Sequence, residues 1–188
     1  MRISPLTLSA LLWLAFIVYW SRAARRAAPS IGGESVRSRQ VHVLLMYGAL
    51  FCTLALRVPP FDRGWIGPSP ILVGLGFAVQ LAGFALAAWA RRHLGRNWSG
   101  AVATQEGHQL VRSGPYRLVR HPIYAAMLLM FVGPALISGA WHGLVGLALI
   151  AYAYRRKIAI EEARLRDVFG EAYADYARHS WALVPGVL

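Results

Sequence analysis

The order of apolar and polar positions divides the chain into five apolar stretches joined by polar segments. The stretches cover residues 5–20, 41–56, 70–90, about 123–138 and 141–154. A helix that crosses a bilayer needs roughly 20 mostly apolar residues, or somewhat fewer when its flanking side chains reach the interface. We therefore expect an all-α fold: a polytopic membrane helix bundle of about five transmembrane helices, in which the last two form a short hairpin.

The first apolar stretch follows Met1 and Arg2 and has the length of a signal-peptide core. The sequence SRAARR comes directly after it, which is typical of a stop-transfer flank rather than of a cleavage site. We therefore expect a retained transmembrane helix here.

Basic residues give the chain a formal net charge of +12, and their positions indicate an orientation in the membrane. Seventeen of the twenty lysines and arginines fall within residues 22–39, 91–120 and 155–178. If five helices are threaded in order, all three segments lie on one side, as the positive-inside rule requires. This threading places the N-terminus outside, and the C-terminus and the loop over residues 91–122 in the cytoplasm. Compactness and arginine richness suggest a bacterial inner membrane.

A nucleic-acid partner is not predicted, because such sites interleave basic residues with exposed aromatic side chains on a soluble surface. A chain that is 57% hydrophobic and 15% charged is expected to contact membrane lipids instead. Its single cysteine, Cys52, cannot form an internal disulfide.

Polar functional groups are concentrated in the second part of the chain. Residues 1–69 hold two apolar stretches and a loop rich in proline and glycine, and we interpret them as N-terminal scaffold helices. Residues 70–188 hold a polar loop, the hairpin and a tail that carries five of the eight acidic residues. We expect the two parts to form one structural domain, and the tail to be an amphipathic helical segment broken at Gly170, where a helix ends.

The segment GPYRLVRHPIY, residues 114–124, leads from the polar loop into the fourth apolar stretch. Its Gly-Pro step predicts a turn, and Pro122 favours the first turn of the next helix. Arg120 and His121 are thereby placed at a helix N-terminus, where free backbone N–H groups attract anions. The alternative is that the arginines reach lipid phosphates and the tyrosines belong to an interfacial aromatic belt.

Two ion pairs at helical spacing are predicted in the tail, Lys157 with Glu161 and Glu162 with Arg166. Such pairs occur on ordinary exposed helices and contribute only about 0.3 to 0.5 kcal/mol each. Lys157 and Glu161 are nevertheless candidates for function, because they directly follow a membrane segment and are expected to face the polar loop. Lys157 is also the chain's one lysine.

Familiar cofactor and metal signatures are missing from the sequence. There is no P-loop, no GxSxG and no HExxH, and no GxGxxG follows a strand. His108 and His121 are thirteen residues apart without a close ligand partner, so no metal site is predicted.

The pieces GHxLVxxGPYxxxRHPxY and EExxLxxxFGxxYxxY, with a hairpin between them, resemble the isoprenylcysteine carboxyl methyltransferase family of membrane enzymes, to which phospholipid methyltransferases are related. The resemblance covers about residues 90–185. It implies S-adenosylmethionine as methyl donor and makes residues 70–188 the methyltransferase core. The cofactor-binding positions that it implies are His108, Gln109, Leu110, Val111, Tyr116, His121, Pro122, Ile123, Tyr124 and Glu161.

The methyl acceptor implied by the resemblance is lipophilic and enters laterally from the bilayer. For an isoprenylcysteine-type carboxylate, Lys157 and Arg120 are the candidate substrate-binding residues. The eukaryotic enzymes carry arginine where this chain has Lys157, and a lysine lacks the bidentate fork that suits a carboxylate. No catalytic residue is assigned, since a carboxylate needs no base. The alternatives are a phospholipid amine or a lipophilic hydroxyl as acceptor, and a non-catalytic protein that binds anionic lipids.

Overall fold

The computed structural model describes residues 3–25, 34–67, 69–95, 98 and 110–186. These ranges form six α-helices and one short 3₁₀ helix at Gly114–Arg117, and two isolated bridges but no strand. The α-helices are α1 Pro5–Ala24, α2 Val36–Leu54, α3 Pro70–Leu94, α4 Pro122–Ser138, α5 Trp141–Phe169 and α6 Glu171–Arg178. The predicted all-α fold is therefore confirmed for this part of the chain.

Helix boundaries follow local sequence signals. Ser4 caps α1 by accepting a hydrogen bond from the Thr7 backbone N–H at 3.1 Å, and Pro5 follows as the first helical residue. Pro122 opens α4 in the same way. Gly170 ends α5 with a φ of 51°, a conformation that favours glycine, which confirms the predicted helix end.

Close backbone contacts hold the apolar helices together. Helix α3 packs mainly on α4, and α2 packs mainly on α5. A Cβ atom at Gly83 of α3 would lie 2.7 Å from the backbone oxygen of Ala126 in α4. One at Gly146 of α5 would lie 2.7 Å from the backbone oxygen of Ala49 in α2. Small residues at helix crossings are typical of membrane bundles. The hydrophobic effect does not drive helices together in lipid, so close dispersion contacts between them hold the bundle instead.

A polar contact ties α1 to α3 inside this apolar packing. The Ser9 hydroxyl donates to Gln80 Oε1 at 2.8 Å, and Gln80 Nε2 donates to the Ser9 carbonyl at 3.1 Å. Both side chains are buried. The reciprocal bonds satisfy the amide and fix the register of the two helices.

The helices expose large apolar side chains on their outer faces. Leu14 of α1 is 56% exposed, Leu44 of α2 73% and Ile71 of α3 80%. Apolar faces of this extent mark contact with lipid or with another protein. Four of the five apolar stretches lie within helices, and the second extends two residues past the end of α2. Helices α1 and α3 are long and apolar enough to cross a membrane, while α4 is a shorter apolar helix. The five-span topology stays a prediction.

The two ends of the bundle are closed by different segments. At one end the α4–α5 turn bonds to the loop after α2, with Trp65 N–H donating to the Gly139 carbonyl at 2.8 Å. At the opposite end Trp181 forms a parallel bridge with Val119. That end also carries the start of α4 and the polar half of α5, so the candidate site forms there.

Candidate active site

The 3₁₀ helix Gly114–Arg117 positions Tyr116 at the polar end of the bundle. Gly114 has a φ of 60°, and a Cβ there would lie 2.7 Å from the ring of His93. Tyr116 is buried, and its carbonyl accepts a 2.6 Å hydrogen bond from the Tyr176 hydroxyl of α6. Burial raises the pKa of the Tyr116 hydroxyl well above its ordinary value. The predicted Gly-Pro turn is confirmed. It places the neutral side chain of Tyr116 inside the bundle.

The start of α4 is held in place by the segment that follows α6. The backbone N–H of Arg120 donates to the Trp181 carbonyl at 2.8 Å, and that of His121 to the Ala182 carbonyl at 3.0 Å. These two N–H groups are therefore not available to a ligand. Among the described residues, the first-turn N–H groups of Ile123 and Tyr124 have no hydrogen-bond acceptor. They are the free donors of this helix start.

His121 lies between two carboxylates of α5. Its Nδ1 is 3.4 Å from Glu161 Oε2, and its Nε2 is 3.4 Å from Glu162 Oε1. Burial by itself would lower the pKa of the imidazole, but the hydrogen bonds to Glu161 and Glu162 outweigh it and raise the pKa. The arrangement therefore favours a protonated His121 that bridges the polar loop and α5.

Glu161 is bound from both sides by residues of the α4 start. Besides the contact with His121, its Oε1 accepts a 2.6 Å hydrogen bond from the Tyr124 hydroxyl. Burial would raise the pKa of Glu161, but the hydrogen bonds from His121 and Tyr124 lower it below its ordinary value. These contacts hold the ionised carboxylate in a fixed position. Its side chain is 21% exposed, so a ligand can still reach it.

Glu162 links three basic side chains. Arg120 Nε and Arg166 Nη2 each donate to it at 2.9 Å, and His121 is the third partner. Burial would raise the pKa of Glu162, but the hydrogen bonds from His121 and Arg120 lower it to about 2. Arg120 also donates to the carbonyls of Ala177 and Ser180. The predicted Glu162–Arg166 pair is confirmed, and the contacts of Arg120 tie the α4 start to the tail.

A row of aromatic rings runs from the α4 start towards α2. The His121 and Tyr124 rings stack with centroids 5.6 Å apart, and the Tyr124 and Tyr154 rings with centroids 4.6 Å apart. The His42 ring of α2 lies 5.8 Å from that of Tyr154. The row connects the loop side of the site to the N-terminal helices.

Lys157 pairs with a residue that the sequence did not single out. Its Nζ lies 3.7 Å from Glu34 Oε2, just before α2, and both side chains are buried. The structure brings Glu34 and His42 to the site, although the sequence predicts a scaffold role for residues 1–69. The one sequence signal for Glu34 and His42 is that a carboxylate and a histidine are rare beside apolar stretches.

The remaining predicted site residues are placed as follows. His108 and Gln109 lie outside the described residues. Leu110 is half-buried, Val111 packs against the hydrophobic core, and Pro122 and Ile123 are buried at the α4 start. The structure thus brings Tyr116, His121, Tyr124 and Glu161 together at one end of the bundle, and their roles in ligand binding stay predictions, as do those of Lys157 and Arg120.

Two other features lie outside this cluster. Within the described ranges, no three His, Cys, Asp or Glu side chains are grouped so as to hold a metal ion. An open groove runs along α1 and the end of α3, between residues such as Leu14, Val18 and Arg92. Of the predicted site residues that the structure describes, none lines this groove.

Comparison with known proteins identifies related sequences. The family model described as phospholipid methyltransferase matches residues 71–172, more than half of the chain. A probable protein-S-isoprenylcysteine O-methyltransferase of Oryza sativa is 26% identical over 165 residues, 85% of this chain and 84% of the rice protein. The cobalt-zinc-cadmium resistance protein CzcN of Cupriavidus metallidurans is 34% identical over 127 residues, 66% of this chain and 53% of that protein.

A solved structure shows the same fold. The eukaryotic intramembrane Ras methyltransferase ICMT (isoprenylcysteine carboxyl methyltransferase) matches with a TM-score of 0.57 and 21% identity, over 84% of this chain and 55% of that chain. This chain therefore spans about half the length of both CzcN and the solved enzyme. The family-model match covers α4 and α5, nearly all of α3 and the first two residues of α6, and it includes Tyr116, His121, Tyr124 and Glu161. The chain is an integral membrane protein that belongs to the phospholipid methyltransferase family, and its resemblance to isoprenylcysteine carboxyl methyltransferases is confirmed.

Proposed function

We propose that this protein is an S-adenosylmethionine-dependent methyltransferase that acts on a lipophilic acceptor within the membrane. The observation that carries the proposal is the contact of Tyr124 and His121 with Glu161. It joins the two sequence motifs of the family into one buried polar cluster at one end of an apolar bundle. The names of the relatives support methyl transfer.

The groups present in the cluster suit S-adenosylmethionine. The free N–H groups of Ile123 and Tyr124 can bind its carboxylate, because a helix start carries partial positive charge. The ionised Glu161 can bind its ammonium group or ribose hydroxyls. Aromatic faces such as Tyr116 can contact its adenine or its sulfonium. We propose that His108, Gln109, Leu110, Val111 and Pro122 complete this site.

When bound, this donor supplies an electrophilic methyl group. Methyl transfer is an in-line displacement, so the protein has to orient the acceptor and exclude water. The buried Lys157 lies close enough to Glu161 to act on it electrostatically. We therefore place the acceptor beside Lys157. Arg120, held by Glu162 and two carbonyls, is better suited to position the α4 start than to contact the acceptor.

We propose a five-span topology with the N-terminus outside and the active site in the cytoplasm, in a bacterial inner membrane. The three basic segments and the positive-inside rule support it. The acceptor would then reach the site from the lipid side, between helices, and the charged donor from the aqueous side.

Binding of labelled S-adenosylmethionine to the purified protein in detergent tests the proposal. We expect the wild type to bind it, and Glu161→Gln to weaken the affinity at least tenfold, because the variant loses the charge and keeps the shape. Asp167→Asn is the matched control on the exposed part of the same helix and should bind like the wild type.

The contrary result is equally clear. If folded wild-type protein binds no labelled donor, the methyltransferase proposal is wrong, and a non-catalytic protein that binds anionic lipids through its basic face would account for the charge distribution. A thermal melt of each sample shows that the protein under test is folded.

A further inference from the structure

The contact between α2 and α5 forms a second polar cluster, which we call the α2–α5 subsite. It consists of Glu34, His42, Tyr154 and Lys157. All four side chains are buried. The cofactor site proposed above uses none of them.

The charge of Lys157 is already compensated within the subsite. Its Nζ lies 3.7 Å from Glu34 Oε2, and the Glu34 side chain is only 1% exposed. Glu34 is fixed in turn, because the Ser38 hydroxyl donates to it and Arg156 lies 3.9 Å away. Arg156 itself is bound to the Ser38 carbonyl at 3.2 Å and to the Ser38 hydroxyl oxygen at 2.5 Å.

This pairing disfavours a carboxylate as the acceptor. A substrate carboxylate beside Lys157 would have to displace Glu34 or bring a second negative charge next to it. A buried charge without its own partner is strongly destabilising. A neutral acceptor meets no such penalty.

His42 provides the second, independent observation. It is 8% exposed, and its Nδ1 is fully buried without a hydrogen-bond partner among the described residues. Buried polar atoms in folded proteins are nearly always hydrogen-bonded, so this nitrogen is suited to a ligand that brings its own donor. The charged groups close enough to act on the ring are Lys157, Glu34, Glu161 and Arg156.

The subsite is continuous with the proposed cofactor site. Tyr154 contacts the His42 ring on one side and stacks on Tyr124 on the other, with centroids 4.6 Å apart. Tyr124 is the residue that binds Glu161. An acceptor next to Tyr154 would therefore lie beside the methyl donor.

We infer that the α2–α5 subsite binds the methyl acceptor, that the acceptor is a lipophilic hydroxyl compound, and that His42 Nδ1 accepts its proton. This inference rests on the proposed function and selects one acceptor class among those left open. The acceptor oxygen forms a bond to the methyl carbon as the bond between that carbon and the donor sulfur breaks. The hydroxyl proton passes to His42, which releases it to water, and the products are a methyl ether and S-adenosylhomocysteine. Because Glu34 already pairs with Lys157, it makes the subsite specific for a neutral acceptor over a carboxylate.

Two probes with the same tail test the inference, 4-dodecylphenol and 4-dodecylbenzoate. Their binding to the purified protein is measured by calorimetry without donor, and their methylation is measured with tritiated donor. We expect the wild type to bind the phenol at least tenfold more tightly than the benzoate, and to methylate it. Equal binding, tighter binding of the benzoate, or no binding of either probe overturns the inference.

Variants separate the two roles. Glu34→Gln should improve benzoate binding at least tenfold, because it removes the negative charge of Glu34 from beside Lys157. His42→Ala should lower kcat for the phenol at least about 100-fold, the contribution of a positioned base, and leave binding of labelled donor within threefold. The matched control is His142→Ala, a buried histidine at the opposite end of α5. Wild-type phenol turnover by His42→Ala, or unchanged benzoate binding by Glu34→Gln, contradicts the inference.

These outcomes remain distinct from failure of the proposed function. If labelled donor does not bind the folded wild type, the methyltransferase proposal fails. If donor binds and the benzoate is preferred, only the acceptor assignment fails. The wild-type comparison of the two probes needs no variant, so misfolding of a variant leaves the test intact.

Discussion

Replacement of Glu162 by glutamine tests how the polar loop is held on α5. Glu162 accepts hydrogen bonds from Arg120 and Arg166 at 2.9 Å and lies 3.4 Å from His121. Glu162→Gln removes the charge, keeps the shape and leaves three basic groups without their shared partner. We expect the variant to fold but to unfold at a lower temperature.

The magnitude follows from the pKa of the carboxyl. The hydrogen bonds from His121 and Arg120 lower it from the ordinary 4.5 to about 2. Each pKa unit corresponds to about 1.4 kcal/mol, so the ionised form is stabilised by about 3 kcal/mol in the folded protein. For a chain of this length 1 kcal/mol shifts the melting temperature by about 2 to 4 °C, which predicts a decrease of about 6 to 12 °C.

The dependence on pH has a defined sign. Because the folded-state pKa of Glu162 is below its unfolded-state value, the stabilisation is fully present above about pH 4.5. It is lost as the pH falls towards about 2, when the folded protein also binds the proton. The difference between wild type and variant should therefore be present at pH 5 and should shrink as the pH falls below that value.

Thermal unfolding in detergent, followed by tryptophan fluorescence, measures both effects. The control is Glu171→Gln, a change of the same chemistry at a carboxylate that is 82% exposed and pairs with Arg178 at 3.0 Å. Exposed pairs of this kind contribute little, so the control should melt with the wild type. Equal melting temperatures of wild type and Glu162→Gln at pH 7 would refute the account of Glu162 as the link between loop, α5 and tail.

Two further predictions concern helix packing and topology. Gly83→Ala should lower the melting temperature by several degrees, because its Cβ would lie 2.7 Å from a backbone oxygen of α4, whereas Gly74→Ala has no atom within 4 Å and should leave it unchanged or slightly higher. An effect of equal size in both variants would contradict the close α3–α4 contact. In a Cys52→Ser background, a membrane-impermeant maleimide applied to intact cells should label Arg63→Cys and not Arg178→Cys. The reverse pattern would contradict the proposed orientation.

The local features of the site were predictable from the sequence. The Gly114-Pro115 turn, the start of α4 at Pro122 and the end of α5 at Gly170 each depend on the conformational limits of one or two residues. Such limits act whatever the rest of the chain does. The positions of the apolar stretches were predictable for a similar reason, since the stretches must be buried or face lipid.

The partners of the charged side chains were not predictable in the same way. Helical spacing suggested Lys157 with Glu161, yet the structure pairs Lys157 with Glu34, more than a hundred residues earlier in the sequence. Arg120, a candidate for substrate binding, is bound to Glu162 and to carbonyls of the tail. In both cases the partner comes from an element whose position is fixed by packing rather than by sequence separation.

By itself, therefore, the sequence determined the helices, the turn that opens α4 and the family, because these depend on local geometry and on residue patterns within short segments. Only the tertiary structure decided which side chains meet. The close approach of α2 to α5 at Gly146 sets how these helices pack, and that packing brings His42 against Tyr154 and Glu34 against Lys157. Residues 34 and 42, from a part of the chain that carries no recognisable motif, thereby supply half of the α2–α5 subsite.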